Sequence, residues 1–292
     1  MPTEPNQFIE FQTEVEAVKA RFHAGEISAT ERDEILRRMQ LIDKQWGDVW
    51  MLSPNNEWFR KAKGSKSWVR DYPVALVDPE TMPPIPEMTM AEIARAVHDC
   101  TKCGLHEGRN RAVPGEGPVP ADIMFIGEGP GFNEDKQARP FVGAAGQFLE
   151  ELLAGINYER SDVYITNVVK CRPPGNRDPQ VDELAACQSY LERQIELVDP
   201  KVIVTLGRYS MNRYFPGASI SGIHGQAKRF GERLVVPMFH PAAALHQPRF
   251  RSLIIEDFQK LPQLIAGTDA VEPADQVTDE ADDANAEQLS LF

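Results

Sequence analysis

The chain has 292 residues, 42% of them hydrophobic, which is enough for one sizeable core and a smaller module, and no apolar run reaches the length of a membrane span. Its net charge of −13 argues against a uniformly basic nucleic-acid binder, yet residues 268–287 hold eight acidic and no basic side chains and residues 1–85 hold 14 acidic against 11 basic. The middle of the chain is therefore close to neutral and free to carry a local basic face.

Residues 1–71 read as an accessory module. Helical periodicity over 8–22 and 30–42, with Gly25 between and Ser28 placed as a cap, predicts a helical hairpin. Trp46, Trp50, Trp58 and Trp68 follow, broken by Gly47, Ser53-Pro54-Asn55-Asn56 and Gly64, which predicts a small strand-rich piece. Lys61, Lys63, Lys66 and Arg70 interleave with its aromatic residues; such a pattern can grip single-stranded DNA, although in a piece this small tryptophans more often form the core. Residues 72–89, with Pro73, Pro79, Pro83, Pro84 and Pro86, read as a linker.

The main domain is expected over 90–267. Strand signals at 123–126, 163–166, 202–206 and 234–238 alternate with helical patterns around 148–153, 181–198, 209–215 and 250–264. That order predicts an α/β fold of three layers, α/β/α, with a central four-stranded parallel sheet. The loop Gly127-Glu128-Gly129-Pro130-Gly131 follows the first strand at the sheet's carboxyl end, where such folds bind ligands, and it matches neither the dinucleotide nor the Walker fingerprint. Residues 268–292 form an acidic tail expected to be disordered.

The four cysteines are Cys100, Cys103, Cys171 and Cys187, a C-x2-C pair and a C-x15-C pair. With no secretory leader in view, metal or cluster ligation leads over disulfides. The wide second pair fits an iron–sulfur cube better than a zinc ribbon, with zinc or unligated buried thiols left open.

GEGPG-x3-D-x3-RPFVG at 127–143, the run from Thr166 through Lys170-Cys171-Arg172-Pro173-Pro174-Gly175-Asn176 to Arg177, His240-Pro241 and the ordered cysteines resemble the family-4 uracil-DNA glycosylases. The resemblance spans about 90–265. It implies a repair enzyme that flips uracil out of DNA and hydrolyses its glycosidic bond, with a structural [4Fe–4S] cluster on the four cysteines. It further implies that His240 stabilises the charge developing on uracil O2, that Phe141 stacks on the base, that Asn167 reads N3 and O4, and that Glu134 crowds the C5 position. Gly129 stands where better-known uracil glycosylases carry an aspartate, so Glu128 becomes the candidate for orienting water, with Gly129 lining the substrate. Leu245 would wedge into the minor groove. Lys170, Arg172, Arg177, Arg208, Arg249 and Arg251 are candidate phosphate contacts. The rival expectations are a glycosylase of broader range acting on hypoxanthine or xanthine, and a non-catalytic iron–sulfur DNA-binding protein.

Gln288-Leu289-Ser290-Leu291-Phe292 is apolar and ends in an aromatic ring after a run of acids. It resembles the pentapeptide with which bacterial polymerases and repair enzymes bind the sliding clamp, and Gln288, Leu289, Leu291 and Phe292 would be the contacts. The expected protein is a cytoplasmic, nucleoid-associated monomer with no membrane partner.

Overall fold

The computed structural model describes residues 5–44, 47–54, 58–66, 68–71 and 82–267. The acidic tail with its clamp-like pentapeptide, and most of the proline-rich stretch, lie outside the described residues.

The N-terminal module begins with helices α1 (Pro5–His23) and α2 (Ala29–Arg38). Ser28 caps α2 in a reciprocal box, its hydroxyl accepting from the Glu31 amide while the Glu31 carboxylate accepts from the Ser28 amide. The second helix is shorter than its periodicity suggests. It stops at Arg38, and Leu41–Ile42 instead forms β1, which opens an antiparallel sheet with β2 (Val49–Leu52), β3 (Trp58–Lys61) and β4 (Val69–Arg70). Phe8, Phe11, Val15, Leu36, Trp50, Leu52 and Trp58 share one core between helices and sheet, with Phe8 edge-on to Trp50 at 5.5 Å. Two of the tryptophans thus serve as core.

The proline-rich stretch does not remain a free linker to its end. Met88 is buried and its carbonyl accepts from Arg193 Nε at 2.9 Å, which pins the chain just before helix α3 (Met90–Asp99).

The main domain is a five-stranded sheet in the order β6-β5-β7-β9-β8, formed by β5 (Ile123–Gly127), β6 (Tyr164–Asn167), β7 (Val202–Leu206), β8 (Lys228–Phe230) and β9 (Arg233–Met238). Four strands are parallel, as expected. The fifth, β8, is a correction: it runs antiparallel to β9 across a turn at Gly231, where φ is 60°. Lys228-Arg229-Phe230 is half-buried and has no apolar run to announce an edge strand.

Alternation along β5 builds the layers. Ile123 and Phe125 face one core with α6 (Ala144–Ala154) and α11 (Arg249–Ala266), where Phe125 stacks on Phe258 at 5.8 Å. Met124 and Ile126 face the other core with α7 (Val181–Val198) and α8 (Arg208–Asn212). Every β5 and β7 residue is buried, so both read as continuous apolar runs. Helices α4 (Leu105–Gly108), α5 (Phe132–Gln137), α9 (Ile220–Ile223) and α10 (Ala242–His246) complete the chain, and α5 and α10 lie beside the carboxyl ends of β5 and β9.

Candidate active site

The parallel ladder aligns Gly127 with Asn167 at the ends of β5 and β6. Pairing continues past the strands, with Val168 N donating to Gly127 O and Val169 N to Glu128 O, so the two loops leave the sheet in step. A β-carbon at Gly127 would strike Asn167 Oδ1 and would lie 2.6 Å from Phe141 Cζ. Gly127 is needed for that close approach, which brings the loop aromatic and the strand-end amide together. A β-carbon at Gly146, in the first turn of α6, would collide with the Phe141 carbonyl, so the helix can meet the loop only through glycine.

Phe141 is buried and its ring lies against His240 with centroids 5.4 Å apart and planes 24° apart. Asn167 is buried, and its Oδ1 has no hydrogen-bond partner among the described residues. A buried amide oxygen without a donor costs roughly 1–3 kcal/mol, so a ligand able to donate there would recover that cost.

His240 follows β9. Its Nδ1 accepts from the Ala242 amide at 3.1 Å, which leaves the proton of the neutral ring on Nε2. Burial pushes its pKa down to about 4, so the imidazole is a neutral donor at physiological pH. Glu128 behaves in the opposite way. Burial and the neighbouring Asp178 push its carboxyl up to about 7 against the pull of Arg208, which itself pairs with Asp178.

Glu134 is half-buried beside the loop, where Oε1 accepts from the amides of Val142 at 2.8 Å and Gly143 at 2.7 Å. The carboxylate is committed to the backbone that carries Phe141. Gly129 lies against Val169, and a β-carbon there would come within 2.9 Å of its methyl group. Leu245 lies in α10, 48% exposed, five residues beyond His240.

The candidate phosphate contacts divide. Lys170 is a correction: it is 1% exposed and donates to Thr166 Oγ1, Asn167 O and Gln194 Oε1 at 2.6, 2.8 and 2.6 Å, which places it under the site as a support. Arg177 is bound to Glu183 and Arg208 to Asp178. Arg251 pairs with Glu151 at the surface, while Arg172 lies over the Phe132 ring at 5.1 Å and Arg249 is exposed beside Phe250.

Cys100 caps the end of α3, Cys103 lies in the next turn, Cys171 lies beyond β6 and Cys187 is in α7; all four line one cavity with Arg109 and Tyr190. Burial pushes the Cys171 thiol up to about 11, although Arg109 Nη1 donates to its sulfur at 2.9 Å. Among the described residues no three ligand-type side chains are drawn in around one ion position.

Several residues at the site carry no periodic or spacing signal. Arg160 donates to the carbonyls of Phe141, at 2.8 Å, and Pro140, and it pairs with buried Glu116, which also holds Arg139 at 2.8 Å. Burial alone would raise the Glu116 pKa, but Arg160 and Arg139 hold it at about 2. A Gly-Glu-Gly turn at 115–117 before β5 was the available clue, and it did not name its partners.

The Uracil DNA glycosylase superfamily model matches residues 114–260. The type-4 uracil-DNA glycosylase of Sulfurisphaera tokodaii is 48% identical over 186 residues, 60% of this chain and 84% of that protein. The type-4 enzyme of Archaeoglobus fulgidus is 44% identical over 185 residues, 60% of this chain and 93% of its own length. That of Thermotoga maritima is 44% identical over 184 residues, 61% and 96% of the respective chains. The N-terminal module lies outside the stretch that the family model matches. With Gly127, Asn167 and His240 at or just beyond the carboxyl ends of β5, β6 and β9 and this similarity along the main domain, the chain belongs to the uracil DNA glycosylase superfamily, on its type-4 branch.

Proposed function

We propose that the protein excises uracil from DNA by hydrolysing the bond between N1 of the base and C1′ of the sugar, leaving an abasic site. The observation that carries this reading is the meeting of the Phe141 ring, the unpaired Asn167 Oδ1 and the neutral His240 at the sheet's carboxyl edge. A base must leave the helix to reach such a pocket. Asn167 Oδ1 would accept from uracil N3–H and its amide would donate to O4, while Phe141 supplies an apolar face.

Uracil departs with the electron pair of the C1′–N1 bond, and the negative charge collects partly on O2. His240 Nε2–H would stabilise it by donating a hydrogen bond without transferring its proton, the role of a preorganised donor. Water adds to C1′ and passes its proton to the Glu128 carboxylate. The cation-like sugar needs only a weak nucleophile, so a modest base suffices. Glu134 acts through the loop it holds, and the exclusion of a C5 methyl would follow from the position of that loop. Leu245 would fill the gap in the base stack, with Arg249 and Arg172 as candidate contacts for the phosphates.

The four cysteines are read as the seat of a structural [4Fe–4S] cluster. Buried thiols that resist ionisation need bound cations before they become thiolate ligands. A single zinc would gather four donors at about 2.3 Å from one point, whereas a cube takes one thiolate at each iron and suits sulfurs spread around a cavity. The cluster would tie α3 and the following turn to the segment after β6 and to α7. The C-terminal pentapeptide is read as a tethered clamp ligand, which would raise the local concentration of the enzyme on newly replicated DNA.

Oligonucleotides carrying uracil, hypoxanthine or xanthine, assayed side by side, are expected to lose uracil alone. His240→Ala should slow that release on the order of 10²–10³-fold; cleavage at the parent rate would show that His240 is not the donor to O2. Because Glu128 sits near pH 7, the single-turnover rate should rise with pH through about 7 and level off above it as the carboxylate forms. His240, near 4, is neutral over that range and adds no limb of its own. Glu128→Gln should flatten the profile, and an unchanged slope in that variant would assign the titration elsewhere. Anaerobically purified protein should be brown and contain iron and sulfide; zinc alone would sink the cluster. Full-length protein should bind the host sliding clamp, and protein lacking residues 288–292 should not, so equal binding by both would rule the pentapeptide out.

A further inference from the structure

The loop 137–143, which carries the Phe141 ring, is held by side chains at six backbone groups. Arg160 takes the carbonyls of Pro140 and Phe141, and Glu134 takes the amides of Val142 and Gly143. The remaining pair belongs to Arg60, on β3 of the N-terminal sheet. Its Nη1 donates to Gln137 O at 2.8 Å and its Nη2 to Ala138 O at 3.0 Å. Arg160 and Glu134 lie within the stretch matched by the family model and Arg60 lies far outside it.

The geometry suits a brace. Helix α5 ends at Gln137 and is capped by Ala138, which adopts a left-handed conformation at φ 52°, so the last carbonyls have no helical partner. A guanidinium satisfies two of them at once and also sits favourably at the negative end of the helix. Arg60 is 3% exposed and is neutralised by Asp48 at 2.9 Å and by Asp71, both contributed by the module. Burial alone would lower its pKa, but Asp71 and Asp48 outweigh that and raise it, so the cation is permanent. Asp48 also holds Arg111 at 3.0 Å, and Arg139 reaches Ser65 at 3.3 Å, two further contacts between the module and the main domain. A buried ion pair is a poor device for stability alone, since apolar packing of the same volume often serves as well. What it adds is direction.

We infer that Arg60 is a positioning residue for base excision, and that the N-terminal module is an internal brace that fixes the loop on which the flipped base stacks. The inference rests on the uracil-excision reading. A displaced loop would still bind DNA through the surface outside the pocket but would present the Phe141 ring in the wrong place, so the chemical step should suffer more than binding.

Arg60→Lys keeps the charge and loses the fork. Single-turnover release of uracil by this variant should fall roughly 10- to 100-fold, the usual cost of a misplacement of about 1 Å. Affinity for an abasic oligonucleotide, which needs no base stacking, should stay within about twofold of the parent. All four tryptophans, Trp46, Trp50, Trp58 and Trp68, belong to residues 1–71, so tryptophan emission reports on the module alone. Should Arg60→Lys lose the native emission, Asp71→Asn replaces it, because it frees one edge of the guanidinium without touching the loop; the same split, smaller, is expected. A folded variant that releases uracil at the parent rate overturns the inference. So does a loss of rate that tracks the loss of emission, or one matched by an equal loss of affinity for abasic DNA, because either makes Arg60 a fold residue only. If the parent itself releases no uracil, the excision reading fails instead.

Discussion

Ala138 at φ 52° and Phe141 at φ 50° both occupy the left-handed region, which side chains with a β-carbon rarely adopt, and they lie within four residues of each other. Each costs on the order of 1 kcal/mol or more, and such a conformation persists only where its surroundings over-determine it. Here the surroundings are three buried or half-buried charged side chains, Arg60, Arg160 and Glu134, which together grip six backbone groups between Gln137 and Gly143. The Phe141 ring, its contact with His240 and its approach to Asn167 all depend on that grip. Gly127 and Gly146 supply the complementary condition by leaving room for the loop to close.

The domain also sorts its carboxylates by environment. Glu116, enclosed by Arg139 and Arg160, is held at about 2 and serves as a permanent anion that binds Arg139 of the loop and Arg160, which grips the loop from outside. Glu128, half-buried near the carboxylate of Asp178, is lifted to about 7. Residues of one type thus ionise in different pH ranges according to their burial and the charges placed against them. At His240, burial and the Ala242 amide select a neutral ring with its proton on Nε2.

The parallel sheet joins these parts. Because β5, β6 and β9 end at the same edge, three segments distant in sequence deliver Glu128, Asn167 and His240 to one place. Beneath that edge, buried Lys170 ties the Asn167 carbonyl to Gln194 on α7 and is followed directly by Cys171. The cysteine-lined cavity and the candidate site are thus joined through one short length of chain, with Lys170 lining the first and bonded to the carbonyl of Asn167 in the second.

The sequence by itself determined the elements whose burial is written in composition. The strands at 123–126 and 202–206 were legible because a strand covered on both faces must be apolar throughout, and α7 was legible because a long amphipathic helix repeats its pattern turn after turn. Phe141, Asn167, His240 and the four cysteines were legible as motifs, since each motif is local even where the site is not. Only the tertiary structure decided the remainder. Lys170 and Arg249 look alike as letters, yet one is buried under the pocket and the other faces solvent, because the fate of a cation depends on which acceptors the fold brings to it. β8 was hidden because a three-residue edge strand buries too little to impose an apolar pattern. The engagement of Arg60 with a loop 77 residues away was hidden for the same reason: periodicity records which face of an element is covered, and it carries no record of which charge will find which carbonyl.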